Sequence, residues 1–403
     1  MSTSTGAPQR VIGRQGAPRR RVMVVGSGTR FLSGISYYTH RLALALRERD
    51  DVSVVLMRQL LPTRVYPGRE RVGKPLARFS YPPDVPIFDG VDWFWGFGII
   101  RALRFLRRED PEVLLLEWWT GTVIHTYLAL ALLARVRGAK VVIEFHEVLD
   151  TGELNLVVAR AYVRALAPLL LRLADGFVAH SEFDREALMG RYGLRGPVVV
   201  APHGPYDPPE PSSGPACDAK STTDGACELL YFGVIRPFKG VEDIVAAFEQ
   251  LSDEDATRFR LTVIGETWEG WTKPAEAIAR SPRRDRIEFV NRYVSDEEAE
   301  AAFARADVVV LPYHRSSASG PLHMAMGRGL PVVVSRVGGL VEAAGDYEGT
   351  VFCEPRDPAT LAGAILQAAE LGGRQFTDPH SWERTSHRVS QLIERLAQDR
   401  IRA

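Results

Sequence analysis

The sequence carries no surplus of either charge: Lys plus Arg number 50 and Asp plus Glu number 50 among 403 residues. Proteins whose main partner is a nucleic-acid backbone show a clear basic excess, so that class is excluded as the primary function. Cysteine is scarce. The three present, Cys217, Cys227 and Cys353, lack metal-ligand spacing and are expected to be free thiols in a reducing compartment. Long apolar runs are missing as well. The helical stretches YLALALLARV and APLLLRLADGF are short and interrupted by arginine, below the ~20 apolar residues that a membrane-spanning helix needs. No apolar run follows Arg10, Arg14, Arg19 and Arg20 at once, so residues 1–20 read as a disordered tail rather than a secretory leader. The expected location is cytoplasmic, with any membrane contact peripheral and at the inner face. One absence is local: no Asp or Glu occurs between Asp307 and Glu342.

What is present alternates between β-branched runs and helical patterns. RVMVV (Arg21 to Val25) runs into Gly26-Ser27-Gly28, a helical pattern follows from about Ser36 to Arg49, and VSVVLM is the next strand. Strand, glycine loop, helix, strand is the unit that builds a parallel sheet. It recurs through EVLLLE, KVVIEF, GFVAH and PVVVA, with helices near Val123 to Val136 and Leu154 to Leu173. The stretch from about Thr63 to Gly98 is rich in proline, glycine and aromatics and reads as loops laid over the sheet edge. Gly204 to Ala226 has the composition of a linker or long surface loop. The alternation then restarts at ELLYFGVI and continues through LPVVVS, and SDEE at Ser295 to Glu298 has the spacing of a capping box. The expected layout is a tail over 1–20, a Rossmann-like domain over 21–204, a linker over 205–226, a second Rossmann-like domain over 227–380 and an amphipathic helix over 381–403. The cleft between two such domains is the natural ligand site.

Four motifs bear on chemistry. VVGSGTRFLSGISYYTHRL is a strand, a glycine turn and a helix, but its spacing is not GxGxxG. No acid ends the following strand to take a ribose, which disfavours a nicotinamide cofactor. Gly34, just before the helix, is the position there for close ligand approach. In YFGVIRPFKGVEDIVAAF a strand ends at Gly233, and Arg236 and Lys239 stand three apart before a helix, suited to neutralising a diphosphate. The bland alternative is a solvated basic turn. Ser319-Gly320-Pro321-Leu322 fits a helix start with a serine cap and proline in the first turn, whose backbone donors suit an anion. His146 follows the KVVIEF strand with Glu144, Glu147, Asp150 and Glu153 nearby, and fits a hydrogen-bonding or acid–base group or a satisfied structural histidine. His125, His180, His203 and His323 are isolated along the chain, and the acids and histidines show no metal spacing, so no metal is expected.

Taken in order, SGISYYTHRLALAL, EFHEVLD, VVVAPHGPYD, YFGVIRPFKG, LTVIGE, MGRGLPVVVSRVGGLVEA and HSWERTSHRV resemble the retaining GT-B glycosyltransferases of family 4, group 1 type, over nearly the whole chain from about residue 20. The resemblance implies two Rossmann-like domains facing a central cleft, the first for the acceptor and the second for a nucleotide sugar. The last helix is expected to cross back onto the first domain. It implies that Arg236 and Lys239 hold the donor diphosphate, that His146 lies near the transferred sugar, and that Gly34 approaches donor or acceptor. Gly233, Glu266 and Glu342 are expected on the donor side. The implied activity is metal-independent hexosyl transfer with retention, from a nucleotide-diphosphate sugar as substrate and without a cofactor. The acceptor class stays open between a small natural product, a lipid carrier and a glycan. Arginines such as Arg101, Arg104, Arg107 and Arg108 suit an anionic lipid surface or a plain solvated face. One departure stands out. The two glutamates usual in this family, with seven residues between them, align with Ser316 and Met324, and neither side chain replaces a carboxylate on ribose hydroxyls. That departure motivates an alternative, a catalytically degenerate GT-B module that binds nucleotide sugars as a sensor or scaffold.

Overall fold

The computed structural model describes residues 19–28, 33–59, 80–147, 157–206, 225–268 and 270–402. All but the last two residues of the expected tail and most of the expected linker lie outside that set. The first domain is a seven-stranded sheet built from β1 (Arg21–Ser27), β2 (Asp51–Gln59), β3 (Ile87–Asp92), β4 (Val113–Trp118), β5 (Lys140–Phe145), β6 (Gly176–Ala179) and β7 (Val198–Val200). Its order is β3-β2-β1-β4-β5-β6-β7. The second is a six-stranded sheet of β8 (Cys227–Phe232), β9 (Phe259–Ile264), β10 (Ile287–Val290), β11 (Val308–Leu311), β12 (Val332–Ser335) and β13 (Thr350–Cys353), in the order β10-β9-β8-β11-β12-β13. Every pairing in both sheets is parallel.

Parallel strands need helical crossovers that cover both faces, which is why runs such as VLLLEW in β4 and VVVL in β11 are buried at every position. In the first domain the helices are α1 (Ser33–Arg47), α2 (Gly98–Glu109), α3 (Ile124–Val136), α4 (Val157–Leu173) and α5 (Glu182–Tyr192). In the second they are α6 (Val241–Gln250), α7 (Asp253–Thr257), α8 (Lys273–Arg280), α9 (Asp296–Arg305), α10 (Gly320–Met326), α11 (Gly339–Gly345) and α12 (Pro358–Ala369). The capping box at the start of α9 is present with both of its hydrogen bonds, from Ser295 and from Glu298. In each sheet the winding direction reverses once, between β1 and β4 and between β8 and β11. Ligands of such sheets bind beyond the strand ends at these reversals.

The described part of Thr63 to Gly98 is more ordered than its composition suggests. It supplies β3, an edge strand paired with β2, and leads into α2. Ile87, Asp89, Gly90 and Asp92 make a weak strand pattern, and β3 is held by its neighbour rather than by propensity.

The closing helix, α13 (Trp382–Arg402), crosses back to the first domain. Trp382, Val389, Leu392, Ile393 and Leu396 recur at helical spacing and pack with Val22, Tyr38, Leu42 and Val178 in one cluster. At its start the Trp382 indole donates to the Pro205 carbonyl at 2.7 Å and the Thr385 hydroxyl to the Pro202 carbonyl at 2.6 Å. Trp382→Ala is expected to lower stability in urea unfolding by ~3–5 kcal/mol, the range for emptying a buried tryptophan site. A loss under ~1 kcal/mol would show that this helix is not a clamp.

Candidate active site

Three cations collect beyond the reversal of the second sheet. Arg236 and Lys239 follow β8, and Arg315 follows β11. The Lys239 ammonium sits 3.6 Å from the centre of the Tyr313 ring. The Arg236 and Arg315 guanidiniums lie 5.1 and 4.3 Å from the Phe238 ring, one phenyl serving both. The RPFKG turn is possible only because residue 240 is glycine: its φ is 65°, and a Cβ there would fall 2.0 Å from the Pro312 carbonyl oxygen. Desolvation, with Arg236 and Arg315 adding to it, pulls the Lys239 ammonium down to about 7, and Glu147 of the first domain opposes that pull. The loop after β5 and the turn after β8 therefore face one another across the cleft. Arg315 carried no signal in the sequence, since it sits four residues beyond a strand within a loop of small residues.

The backbone anion site expected at Ser319–Leu322 is weaker than the sequence implies. The helix that starts there, α10, has only seven residues. The Leu322 N–H is already taken by the Ser319 hydroxyl at 3.3 Å, and Pro321 has no N–H to give. Tyr206 crowds Gly320, its hydroxyl 3.5 Å from where a Cβ would stand. Gly233 lies against the same helix, the position of its missing Cβ 3.3 Å from Pro321.

Glu342 reaches the other domain. Its carboxylate accepts from the backbone N–H of Glu182 at 2.7 Å and of Phe183 at 2.8 Å, capping the first turn of α5. These two bonds tie the domains together. Glu266 accepts from the Trp268 indole at 3.3 Å, beside Arg236, whose guanidinium is 5.9 Å from the Trp268 ring. Gly34 is exposed, and its carbonyl accepts from the Tyr206 hydroxyl at 2.7 Å. Tyr206 stacks on Tyr37 at 4.6 Å and so occupies the space between Gly34 and Gly320. Nothing in the sequence singles this residue out, because it falls at the edge of the linker composition.

His146 is buried. Its ring lies flat on Trp119 at 3.6 Å and 4°, and Tyr38 meets it edge-on at 4.4 Å. His146 Nδ1 is 3.0 Å from His180 Nε2, and His180 Nδ1 is 2.9 Å from the Ala201 carbonyl. A carbonyl only accepts, so His180 donates from Nδ1, receives at Nε2, and fixes the proton of His146 on Nδ1. Beneath lie two acids that pair in register on β4 and β5, Glu117 and Glu144, both fully buried. The Thr39 hydroxyl donates to Glu117 and the Tyr38 hydroxyl to Glu144, each at 2.6 Å. Gly26 makes room for this, since a Cβ there would lie 2.4 Å from Glu117 Oε2. Burial raises both carboxyls, and the Glu144 charge raises Glu117 further.

Across the domain junction His203 stacks on His323 at 4.5 Å and 17°. Burial pushes His203 down to about 3 and His323 well below the ordinary range, with nearby histidines adding to each. The folded chain thus keeps these rings neutral while the unfolded chain protonates them near 6.5. Stability is therefore complete above about 6.5 and falls with pH down toward about 3, by up to ~1.4 kcal/mol per unit for each ring. Urea midpoints taken between pH 8 and 5 should fall along that slope, and His203→Asn should flatten it. An unchanged slope in the variant would remove His203 from the account.

The Glycosyltransferase Family 4 model matches residues 32–205 and the Glycosyl transferases group 1 model matches residues 226–370. Glycogen synthase of Mycobacterium tuberculosis (strain ATCC 25618 / H37Rv) is 26% identical over 397 residues, 90% of this chain and 91% of that protein. D-inositol 3-phosphate glycosyltransferase of Geodermatophilus obscurus is 32% identical over 228 residues, 53% of this chain and 50% of that one. Among solved structures, sucrose-phosphate synthase from Thermosynechococcus elongatus superposes with a TM-score of 0.67 at 17% identity, over 94% of this chain and all of that one. Anabaena HepE in complex with UDP-glucose gives 0.59 at 16% identity, over 96% of this chain and all of that one. Two parallel-sheet domains, the helix that returns to the first of them and the two matched halves agree: the chain belongs to the GT-B glycosyltransferases of family 4, group 1 type, which take a nucleotide-sugar donor.

Proposed function

We propose that the protein transfers a hexose from a nucleoside-diphosphate hexose to a hydroxyl acceptor with retention of anomeric configuration, its diphosphate held by side chains rather than by a metal. The observation that carries this reading is the cluster of Arg236, Lys239 and Arg315 beyond β8 and β11, facing the loop after β5. A departing diphosphate gains charge as the glycosidic bond breaks, and fixed cations in a water-poor cleft stabilise that charge most where it develops. Gly233 and Glu266 flank the cluster, and Gly34 and Tyr206 line the opposite wall. His146, sealed under Trp119, fits a group that shapes the sugar end of the cleft from beneath. The acceptor is a small natural product, a lipid carrier or a glycan.

Ser316 and Met324 favour the second reading, a module that binds nucleotide sugars without turnover. Ser316 bonds the Ala318 carbonyl at 2.8 Å, and Met324 packs against the core of the second domain. The family match does not favour that reading. Incubation with UDP-, GDP- and dTDP-hexoses tests both. Transfer or slow hydrolysis giving the donor's own anomeric configuration by proton NMR supports the first. Tight binding with neither reaction supports the second, and an inverted product removes retention.

Two further outcomes follow for Lys239. Lys239→Ala should reduce turnover about a hundredfold or more with the unfolding midpoint kept, as for loss of one charge-stabilising donor. Its ammonium titrates at about 7, so it loses charge as pH rises, and the donor KM should climb from pH 6 to 8 by up to about tenfold per unit. A flat donor KM across that range would detach Lys239 from the diphosphate.

A further inference from the structure

We propose that Glu144 and His146, with Glu117 beside them and His180 behind, form a buried binding site for one divalent transition-metal cation of the zinc class. The site lies under the sheet end of the first domain, apart from the cations assigned to the donor.

Three atoms carry the inference. Glu117 Oε1, Glu144 Oε2 and His146 Nε2 are shut off from solvent and have no hydrogen-bond partner among the described residues, in residues that are 0%, 0% and 4% exposed. All three side chains leave the same face of adjacent strands, since Glu117 pairs with Glu144 and His146 continues the ladder by donating its N–H to Trp118. The orphaned nitrogen holds a lone pair. Ala201 fixes His180, and His180 fixes the His146 proton on Nδ1, so Nε2 has nothing to donate. An imidazole whose rear N–H is held in this way has the arrangement of a metal ligand.

The spacing is within reach of an ion. His146 Nε2 and Glu144 Oε2 are 4.0 Å apart, too far for a hydrogen bond. Bonds of roughly 2.0–2.2 Å place the nitrogen and oxygen ligands of a tetrahedral zinc ion about 3.4 Å apart, so the two side chains close by about half an ångström on a bound ion. Glu144, His146 and His180 each bring a ligand-type atom within 4.8 Å of the others. Both His180 nitrogens are already engaged, so the ligand atoms of that group are Glu144 Oε2 and His146 Nε2, with Glu117 on the adjoining strand. Charge points the same way. Among the described residues His180 is the one basic group acting on either carboxyl, on Glu144 alone, and no arginine or lysine does so; a poorly paired buried carboxylate costs several kcal/mol. Protonating both acids would also remove the charge, but it leaves the His146 lone pair facing no donor within reach. Neutral imidazole with carboxylates is a donor set that suits zinc-like ions over magnesium or calcium.

The test uses the full chain and no sugar, so its outcome is separate from that of the transfer reading. After expression in zinc-supplemented medium and dialysis against a weak chelator, elemental analysis should find one metal ion per chain. Stripping with a strong chelator should lower the thermal midpoint, and Zn2+ alone should restore it. Co2+ in its place should give visible d–d absorption. Glu144→Gln, which keeps the length that reaches Tyr38, should abolish retention, and His180→Asn should weaken Zn2+ affinity ~10–100-fold. If Glu144→Gln fails to fold, Glu117→Gln and the Co2+ spectrum of the parent still decide. The proposal is overturned if the parent holds no ion, if Zn2+ leaves its midpoint unchanged, or if both glutamine variants match or exceed the stability of the parent. In that last case the two acids are simply protonated.

Discussion

A lysine ammonium stripped of water is the feature around which the two domains are arranged. Lys239 lies over Tyr313, beside two guanidiniums, and its nearest compensating charge comes from Glu147 on the other domain. A cation held at about 7 without its ligand gains most when an anion arrives, because the anion restores the proton as well as the pairing. The surrounding structure serves that arrangement. Gly240 lets the RPFKG turn tuck under Pro312, the Glu342 carboxylate ties α11 to α5, and the Trp382 indole ties the closing helix to Pro205.

Much of this was legible in the sequence, and the reason is local. Parallel strands buried on both faces leave uninterrupted Val and Leu runs, so β1, β2, β4, β5, β8 and β11 stand out without any partner. The strand that composition hid, β3, is an edge strand with Asp and Gly in it and exists through its pairing with β2. The donor cations divide along the same line. Arg236 and Lys239 lie three apart in one turn and can be found by eye, whereas Arg315 joins them only because β11 lies beside β8. Glu342 shows the converse. A lone acid after a glycine turn carries no sign of a partner, and only the packing of α11 on α5 shows that it accepts from backbone N–H groups of the other domain.

Histidines show the limit of reading along the chain most clearly. His180, His203 and His323 look isolated along the chain, and they and His146 are separated from one another by 20 residues or more. Strand order brings three of them to one end of the first sheet, and the domain junction adds the fourth. The low proton affinity of His146, His203 and His323 comes from burial and from the neighbouring histidines, neither of which has a sequence motif. The acids follow the same rule. Between Asp307 and Glu342 the second domain has lost its usual carboxylates, while Glu117 and Glu144 lie buried across the cleft, where spacing gave no warning of a cluster.

The two centres are joined mechanically by a single strand end. β5 carries Glu144, His146 follows its last residue, and Glu147, which opposes the desolvation of Lys239, comes next. His146 and Glu147 are neighbours along the chain, so the packing that holds His146 also limits where Glu147 can go. A carboxylate that swung even a few ångströms would change the field at Lys239, since the interaction of two charges in a poorly hydrated cleft falls steeply with distance. Buried polar groups of this kind are costly, and their lasting use is to hold one geometry against its neighbours. Here that geometry sets the field in which Lys239 holds its proton between the domains.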